Sequence, residues 1–212
     1  MEGKQPDKTL FIVRHGETDY NKKGMVQGRG IDSSLNAKGL LQANEFYLAY
    51  KHCQFHKIYL SSLKRTKQSL QKFIDSGIPY EILHGLDEIS WGSQEGVAFT
   101  ETNQEIYRDT IRKWKSGDLD VAVEGGESPN QVMARQKESL GYILRQKEEE
   151  KNILICMHGR AIRILISWML NKPLFQMDNF SHHNLCLYQL KFINNSFKLT
   201  KENDISHLSD II

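Results

Sequence analysis

The stretch LFIVRHGETDYN fills residues 10–21. Four apolar residues, two of them β-branched, run into an arginine, a histidine and a glycine. A run this short is too brief for a helix and suits a strand covered on both faces. A second stretch, ILICM at 153–157, ends on the same pair, His158-Gly159. In an open α/β sheet, ligands bind in the crevice beyond the carboxyl ends of the strands. If the two strands are neighbours, His15 and His158 meet in that crevice. The glycine after each lets the backbone turn sharply and approach a ligand.

Outward from these two strands, apolar runs alternate with helical periods. Asn36 is placed to cap a helix reaching about residue 50, with Leu40, Leu41, Phe46 and Leu48 as its apolar surface. Residues 58–60 read as a strand, 62–77 as a helix ended by Gly77, and 80–83 as a third short strand. A Gly-rich loop follows at 88–96. Residues 100–115 read as a charged helix, and GGES at 125–128 starts another with Val132, Met133, Leu140, Ile143 and Leu144 on one face. After His158-Gly159, Ile162, Leu165, Ile166, Met169 and Leu170 mark a helix face at i, i+3, i+4, i+7, i+8. Strand-like pieces at 185–192 and 196–200 predict a hairpin across Asn194-Asn195. The expected class is α/β: a doubly wound, mostly parallel sheet with helices on both faces. We expect one domain over residues 1–212, a loose polar lead-in at 1–7, and a short helical insertion at about 97–124 near the rim of the site.

Composition narrows the function. Lys+Arg is 28 against 26 Asp+Glu, a net charge of +2. That is too little to argue for nucleic acid or an anionic membrane surface, so any preference for anions is local. Cys53, Cys156 and Cys186 are far apart, with no CxxC, which fits a reduced, cytoplasmic setting. No apolar stretch approaches the ~20 residues of a membrane span, and the opening MEGKQPDK has no apolar signal core. Oligomeric state is not readable. Trp114 either marks an interface or packs beneath the insertion helix, and the second reading is preferred.

At the strand tips the local charge is clear. Arg14 precedes His15, and Arg65 lies in the first turns of the helix after the strand at 58–60. The helix starting after His158 directs free N–H groups to the same rim. Two imidazoles, two guanidiniums and a helix N-terminus suit a phosphoryl group.

RHGET followed by Asn21 resembles the signature of the histidine phosphatase superfamily, also called the phosphoglycerate mutase-like family. The likeness continues in order. QGRGIDSSLNAKGLLQA resembles the family's loop and first helix, SSLKRTKQS its second arginine motif, and EISWGSQEG its acidic loop. GGES resembles its later turn and HGRAIRIL its second histidine motif. The resemblance implies a small phosphorylated metabolite as substrate, no cofactor and no metal. It implies His15 as nucleophile, and Arg14, Arg65 and His158 as the pocket for the phosphoryl oxygens. It implies Glu88 as general acid, then base; on sequence alone Asp87 beside it is a rival. Thr18, Asn21, Gln27, Gly28 and Gly159 become candidate substrate contacts, with plain turn chemistry as the bland reading of Thr18 and Asn21.

The chain departs from the pattern in places. Gln94 stands where an aromatic is common, with Trp91 nearby. Ser34 and Asn36 stand for the usual proline and threonine. Arg160 follows the second His-Gly where a small residue is usual. It either reaches the pocket mouth to bind a second acidic group or is a solvated helix residue; the solvated reading is preferred. Arg108, Arg112 and Lys115, at i, i+4, i+7, read as a solvated stripe before a substrate-facing one. His182-His183 has no ligand partner at a known spacing, so a metal site is not expected. Family phosphoglycerate mutases carry a longer insertion than residues 97–124 allow. The expected activity is therefore a phosphomonoesterase. The alternatives are a 2,3-bisphosphoglycerate-dependent phosphoglycerate mutase and a non-catalytic phospholigand-binding protein.

Overall fold

The short apolar runs become the two central strands. A computed structural model describes residues 6–97, 100–209 and 211. Most of the expected lead-in, and residues 98–99 of the expected insertion, lie outside the described residues. Strand β1 (Lys8–Arg14) pairs in parallel with β4 (Asn152–Met157), Arg14 opposite Met157. Around them stand β2 (Lys57–Leu60), β3 (Tyr80–Ile82), β5 (Leu187–Ile193) and β6 (Ser196–Asp204). The sheet order is β3-β2-β4-β1-β5-β6. The β3–β2, β2–β4 and β4–β1 pairs are parallel; β1–β5 and β5–β6 are antiparallel. Asn194 and Asn195 carry the β5–β6 turn with φ of 51° and 58°, the left-handed conformation such a two-residue turn needs.

Side-chain alternation fills both faces of the sheet. Leu10, Ile12, Ile153, Ile155 and Met157 pack under α6 (Pro129–Leu144) and α7 (Gly159–Met169). Phe11, Val13, Leu154 and Cys156 pack on the other face with Phe46 of α2 (Ala37–Tyr50) and Phe73. A third apolar group of Ile89, Trp91, Trp114, Val123 and Ile164 lies beneath α5 (Glu101–Lys115), the helix expected in the insertion. Trp114 is fully buried there and donates its indole N–H to Val121 O at 2.8 Å, so it packs under its own helix.

Two local expectations are corrected. In α2, Leu40, Leu41 and Leu48 are 54%, 55% and 45% exposed, and the inward residues are Gly39, Gln42, Ala43 and Phe46. The start of α2 is pressed against the backbone after His15. A Cβ on Gly39 would stand 2.2 Å from Glu17 O, and Gln42 Oε1 accepts the Glu17 N–H at 2.9 Å. Support of that loop turns the leucines outward. Asn36 caps α2 as expected, accepting from Gly39 N at 2.8 Å. The single helix expected at 62–77 is two, α3 (Lys64–Ser69) and α4 (Gln71–Asp75), separated at buried Leu70 with φ −113°. Thr66 and Ser69 bond back to Leu63 O and Arg65 O, hydroxyl contacts that compete with a continuous helix.

Candidate active site

His15 and His158 follow directly on the paired ends of β1 and β4. Their rings lie 5.1 Å apart, centroid to centroid. The His15 N–H bonds to Met157 O at 3.0 Å, extending the strand pairing by one residue. Gly16 turns the chain sharply, and its N–H is held by Ser69 Oγ at 2.9 Å. A Cβ there would stand 2.7 Å from Gly39 O, so the turn leaves no room for a side chain.

The His15 ring has one nitrogen fixed. Nδ1 lies 2.7 Å from Gly16 O, so it carries the proton and Nε2 is the basic nitrogen. Burial, then the charges of Arg65 and Arg14, push the His15 pKa well below its ordinary value. The ring is neutral with a free lone pair.

His158 is also held neutral, by burial first and then by Arg65, His15 and Arg14. Its Nδ1 accepts from Arg65 Nε at 3.2 Å, which makes Nε2 the donor to Ser61 Oγ at 2.7 Å. Arg65 spends its terminal amino groups on Ile31 O and Gly28 O. Arg65, His158 and Gly28 thus form a layer behind His15, while Arg14, His15, Asn21, Gln27, Glu88 and Gly159 line a cavity of about 610 Å³. Thr18, fully buried, caps the short helix α1 (Asp19–Lys22) and bonds Gln27 Oε1 at 2.8 Å, one step back from the cavity.

Arg14 and Gly159 both line the cavity wall. Arg14 gives Nη1 to His182 O at 2.8 Å, but its buried Nε has no partner among the described residues. A Cβ added to Gly159 would meet that Nε at 3.4 Å, so the Gly159 backbone is its neighbour. The first turn of α7 opens at Gly159, and helix N-terminal N–H groups favour anions.

Of the two candidate carboxylates, Glu88 lines the cavity. Its Oε1 accepts from Ile89 N at 3.0 Å and Ala161 N at 2.9 Å, and its Oε2 from Arg160 N at 3.1 Å. It caps α7 from outside, where His158 gives no side-chain cap. Asp87 faces away, bound to Ser62 N and Oγ and 3.5 Å from His84. Arg135 pins the loop between them by donating to Gly85 O, Asp87 O and Glu88 O, and it pairs with both oxygens of Glu127. The GGES turn thereby fixes the acidic loop through Glu127, which also accepts from Ser90 N at 2.8 Å.

A histidine phosphatase superfamily (branch 1) model matches residues 10–205. The chain belongs to that family. It is 28% identical over 216 residues to the broad-specificity phosphatase YOR283W of Saccharomyces cerevisiae, covering 95% of this chain and 87% of that one. It is 28% identical over 211 residues to a protein of Proteus mirabilis described as "Probable phosphoglycerate mutase GpmB", covering 95% of each. Among solved structures, YhfR of Bacillus stearothermophilus superposes with a TM-score of 0.84 at 25% identity, over 95% of this chain and all of that one.

Within this histidine phosphatase, other side chains enter that the sequence pattern does not mark. Asn184 Nδ2 bonds His15 O at 3.0 Å and Asn21 Oδ1 at 3.1 Å, tying the tip of β1 to the chain before β5. His182, weighed from sequence only as a metal ligand, lines the cavity with Nδ1 3.3 Å from Arg14 Nη1. Its pKa falls to about 3, through burial and then Arg14. His183 is exposed and bonded to Asn203. No signal in the sequence singles out His182 or Asn184, because both act through the folded approach of residues 181–185 to β1. Arg160 is not solvated: it is buried, paired with Asp178, and its guanidinium lies 5.5 Å from the Trp114 ring centroid. Arg108 lines the cavity and also pairs with Glu105 at 3.4 Å, and Arg112 pairs with Glu105 and Asp109. Gln94 and Trp91 both form cavity wall. Among the described residues no cluster of three or more His, Cys, Asp or Glu is arranged to hold a metal, and no helix is long and apolar enough to cross a membrane.

Proposed function

We propose that this histidine phosphatase hydrolyses monoesters of small phosphorylated metabolites through a phosphohistidine on His15, without a metal. The observation that carries this is the tautomer of His15. With Nδ1–H fixed on Gly16 O, Nε2 is the nucleophile, kept unprotonated by burial first and then by the guanidiniums of Arg65 and Arg14. Nε2 attacks phosphorus, and the P–O bond to the alcohol breaks as the ester oxygen takes a proton from Glu88. Oε2 of Glu88 holds a single backbone N–H, so it retains a lone pair to carry that proton. Water then attacks the phosphohistidine and returns a proton to Glu88, freeing His15 and orthophosphate. The Nε of Arg14 and the Gly159 N–H hold phosphoryl oxygens, with Asn21 and Gln27 at the margin. Arg65 and His158 add positive field and donor geometry from behind.

In this reading residues 1–212 form one cytoplasmic domain, and α5 is the single-helix cap of the pocket. Incubation with labelled substrate and acid quench leaves an acid-labile, alkali-stable phosphate on His15. Phosphate release from p-nitrophenyl phosphate persists in EDTA and disappears in His15→Ala. Label on serine or aspartate, or a strict need for a divalent ion, overturns the mechanism. A mutase reading has support in the Proteus mirabilis relative. Isomerisation of phosphoglycerate stimulated by 2,3-bisphosphoglycerate, faster than phosphate release, would establish it instead. Binding of phosphate esters with no turnover at all would leave a non-catalytic phospholigand protein.

A further inference from the structure

In the mechanism above Arg14 carries the phosphoryl contact, and one neighbour governs how its guanidinium lies. Nη1 donates to the carbonyl oxygen of His182 at 2.8 Å and to Nδ1 of the His182 ring at 3.3 Å. One amino group has two hydrogens and can serve both. A guanidinium accepts no hydrogen bond, so Nδ1 is the unprotonated nitrogen and the ring is the Nε2–H tautomer. His15 is the opposite tautomer, with Nδ1–H on Gly16 O. With Nη1 engaged by His182, the buried Nε of Arg14 is left without a partner among the described residues, beside Gly159.

The His182 ring is itself wedged between Arg14 and α7. A Cβ added to Gly159 would stand 3.3 Å from Cε1 and 3.4 Å from Cδ2 of the ring, and 3.4 Å from Arg14 Nε. A side chain at 159 would therefore press on ring and guanidinium together. The residues around the ring are anchored as well. Ser181 O accepts from the Tyr188 hydroxyl, Asn184 Nδ2 bonds His15 O, and the Leu185 N–H returns to Arg14 O at 3.2 Å. Leu185 has φ of 54°, a left-handed bend that a leucine seldom enters and that persists where its surroundings fix it. An arginine side chain carries much rotamer freedom, and fixing it before a ligand arrives removes that cost from binding.

We propose that His182 is the positioning residue of Arg14: ring nitrogen and carbonyl together hold the guanidinium so that its Nε edge meets the phosphoryl oxygens in one orientation. His182 touches no reacting atom in this account. The proposal rests on the phosphatase reading for its effect on turnover, whereas its effect on anion binding stands without it. The carbonyl survives any substitution, so variants at 182 read the ring alone. Asn places an acceptor oxygen near the position of Nδ1, and Leu fills the space with none. His182→Leu lowers kcat/KM for p-nitrophenyl phosphate at least fivefold and weakens orthovanadate binding, read by calorimetry, at least fivefold. His182→Asn is at least threefold better than His182→Leu in both. A smaller loss in folded His182→Leu, or an Asn variant no better than the Leu one, overturns the role. In an Arg14→Lys background, which lacks the planar fork, the loss caused by His182→Leu shrinks at least threefold; a loss of the same size in both backgrounds means that the ring acts by packing alone. Should the Leu variant fail to fold, the wild type carries the test. In the spectrum of protein labelled with ¹⁵N-histidine at pH 7, the ring whose signals vanish in His182→Asn is the Nε2–H tautomer. A His182 ring protonated on Nδ1 cannot accept from Arg14 and overturns the proposal outright. Weakened vanadate binding in His182→Leu, in a chain whose wild type releases no phosphate, would remove the phosphatase reading and leave the positioning role standing.

Discussion

At the scale of single residues, the site depends on keeping an imidazole neutral among cations. His15 is lowered well below 6.5 by burial and by Arg65 and Arg14, so the nucleophile stays unprotonated on the acid side of neutrality. The acid limb of kcat/KM, corrected for ionisation of the ester itself, is therefore expected below pH 6.5. A limb at 6.5 that belonged to His15 would contradict this geometry. Gly16 is equally exacting. Gly39 O and the Leu185 side chain, 2.7 and 3.0 Å from an added Cβ, hem it in. Gly16→Ala should lose about 1–3 kcal/mol of stability in chemical denaturation, as for overpacking elsewhere. It should also lose more activity than Gly30→Ala, where an added Cβ meets only the end of the Glu95 side chain. Equal losses of turnover in the two variants would show that the turn tolerates a methyl. Both histidines and both arginines were legible from sequence because each sits where a strand ends or a helix begins. His182, Asn184 and the buried state of Arg160 were not, because the partners that define them lie 168, 169 and 18 positions away.

At the scale of elements, the acidic loop is held by a bidentate ion pair as well as by the packing of Ile89 and Trp91. Burial opposes the charge on Glu127, but its bonds to Arg135 outweigh that and hold its pKa below the ordinary value. A depressed carboxyl pKa contributes stability that is complete above about pH 4.5 and is lost as pH falls through the folded value. Glu127→Gln should flatten the pH dependence of the melting temperature in that window. It should also free Arg135 from its charge partner, at a cost of roughly 3 kcal/mol for a broken, partly buried pair. Because Arg135 also carries the carbonyls of Asp87 and Glu88, hydrolysis of alkyl phosphates should fall more than that of aryl phosphates, whose leaving groups need little protonation. Equal losses on both substrate types would mean that Glu88 keeps its place without this brace. The strands and most helices followed from hydrophobic period alone. The face of α2 did not, because Gly39 and Gln42 serve the His15 loop and so compete with the leucines for the inward side. Residues that serve a neighbouring backbone carry no hydrophobic period to read.

At the scale of the whole molecule, two buried imidazoles, His15 and His158, and the half-buried His182 are all held neutral. The unfolded chain protonates them near pH 6.5, so it binds more protons than the folded one below that pH, and stability declines as the solution is acidified. For His182 the window runs from about 6.5 down to about 3. Thermal melts between about pH 7 and about pH 4 should show this decline, and His182→Gln should make it shallower; an unchanged slope would mean that His182 does not contribute. Orthophosphate or vanadate should raise the melting temperature, since a ligand that binds only the folded chain stabilises it by about 2.7 kcal/mol at a hundredfold excess over Kd. The unpartnered Nε of Arg14 explains why. A donor that takes a phosphoryl oxygen does not distinguish an ester from the free anion, so released orthophosphate should compete with the ester for the same place, a competition that steady-state inhibition would read.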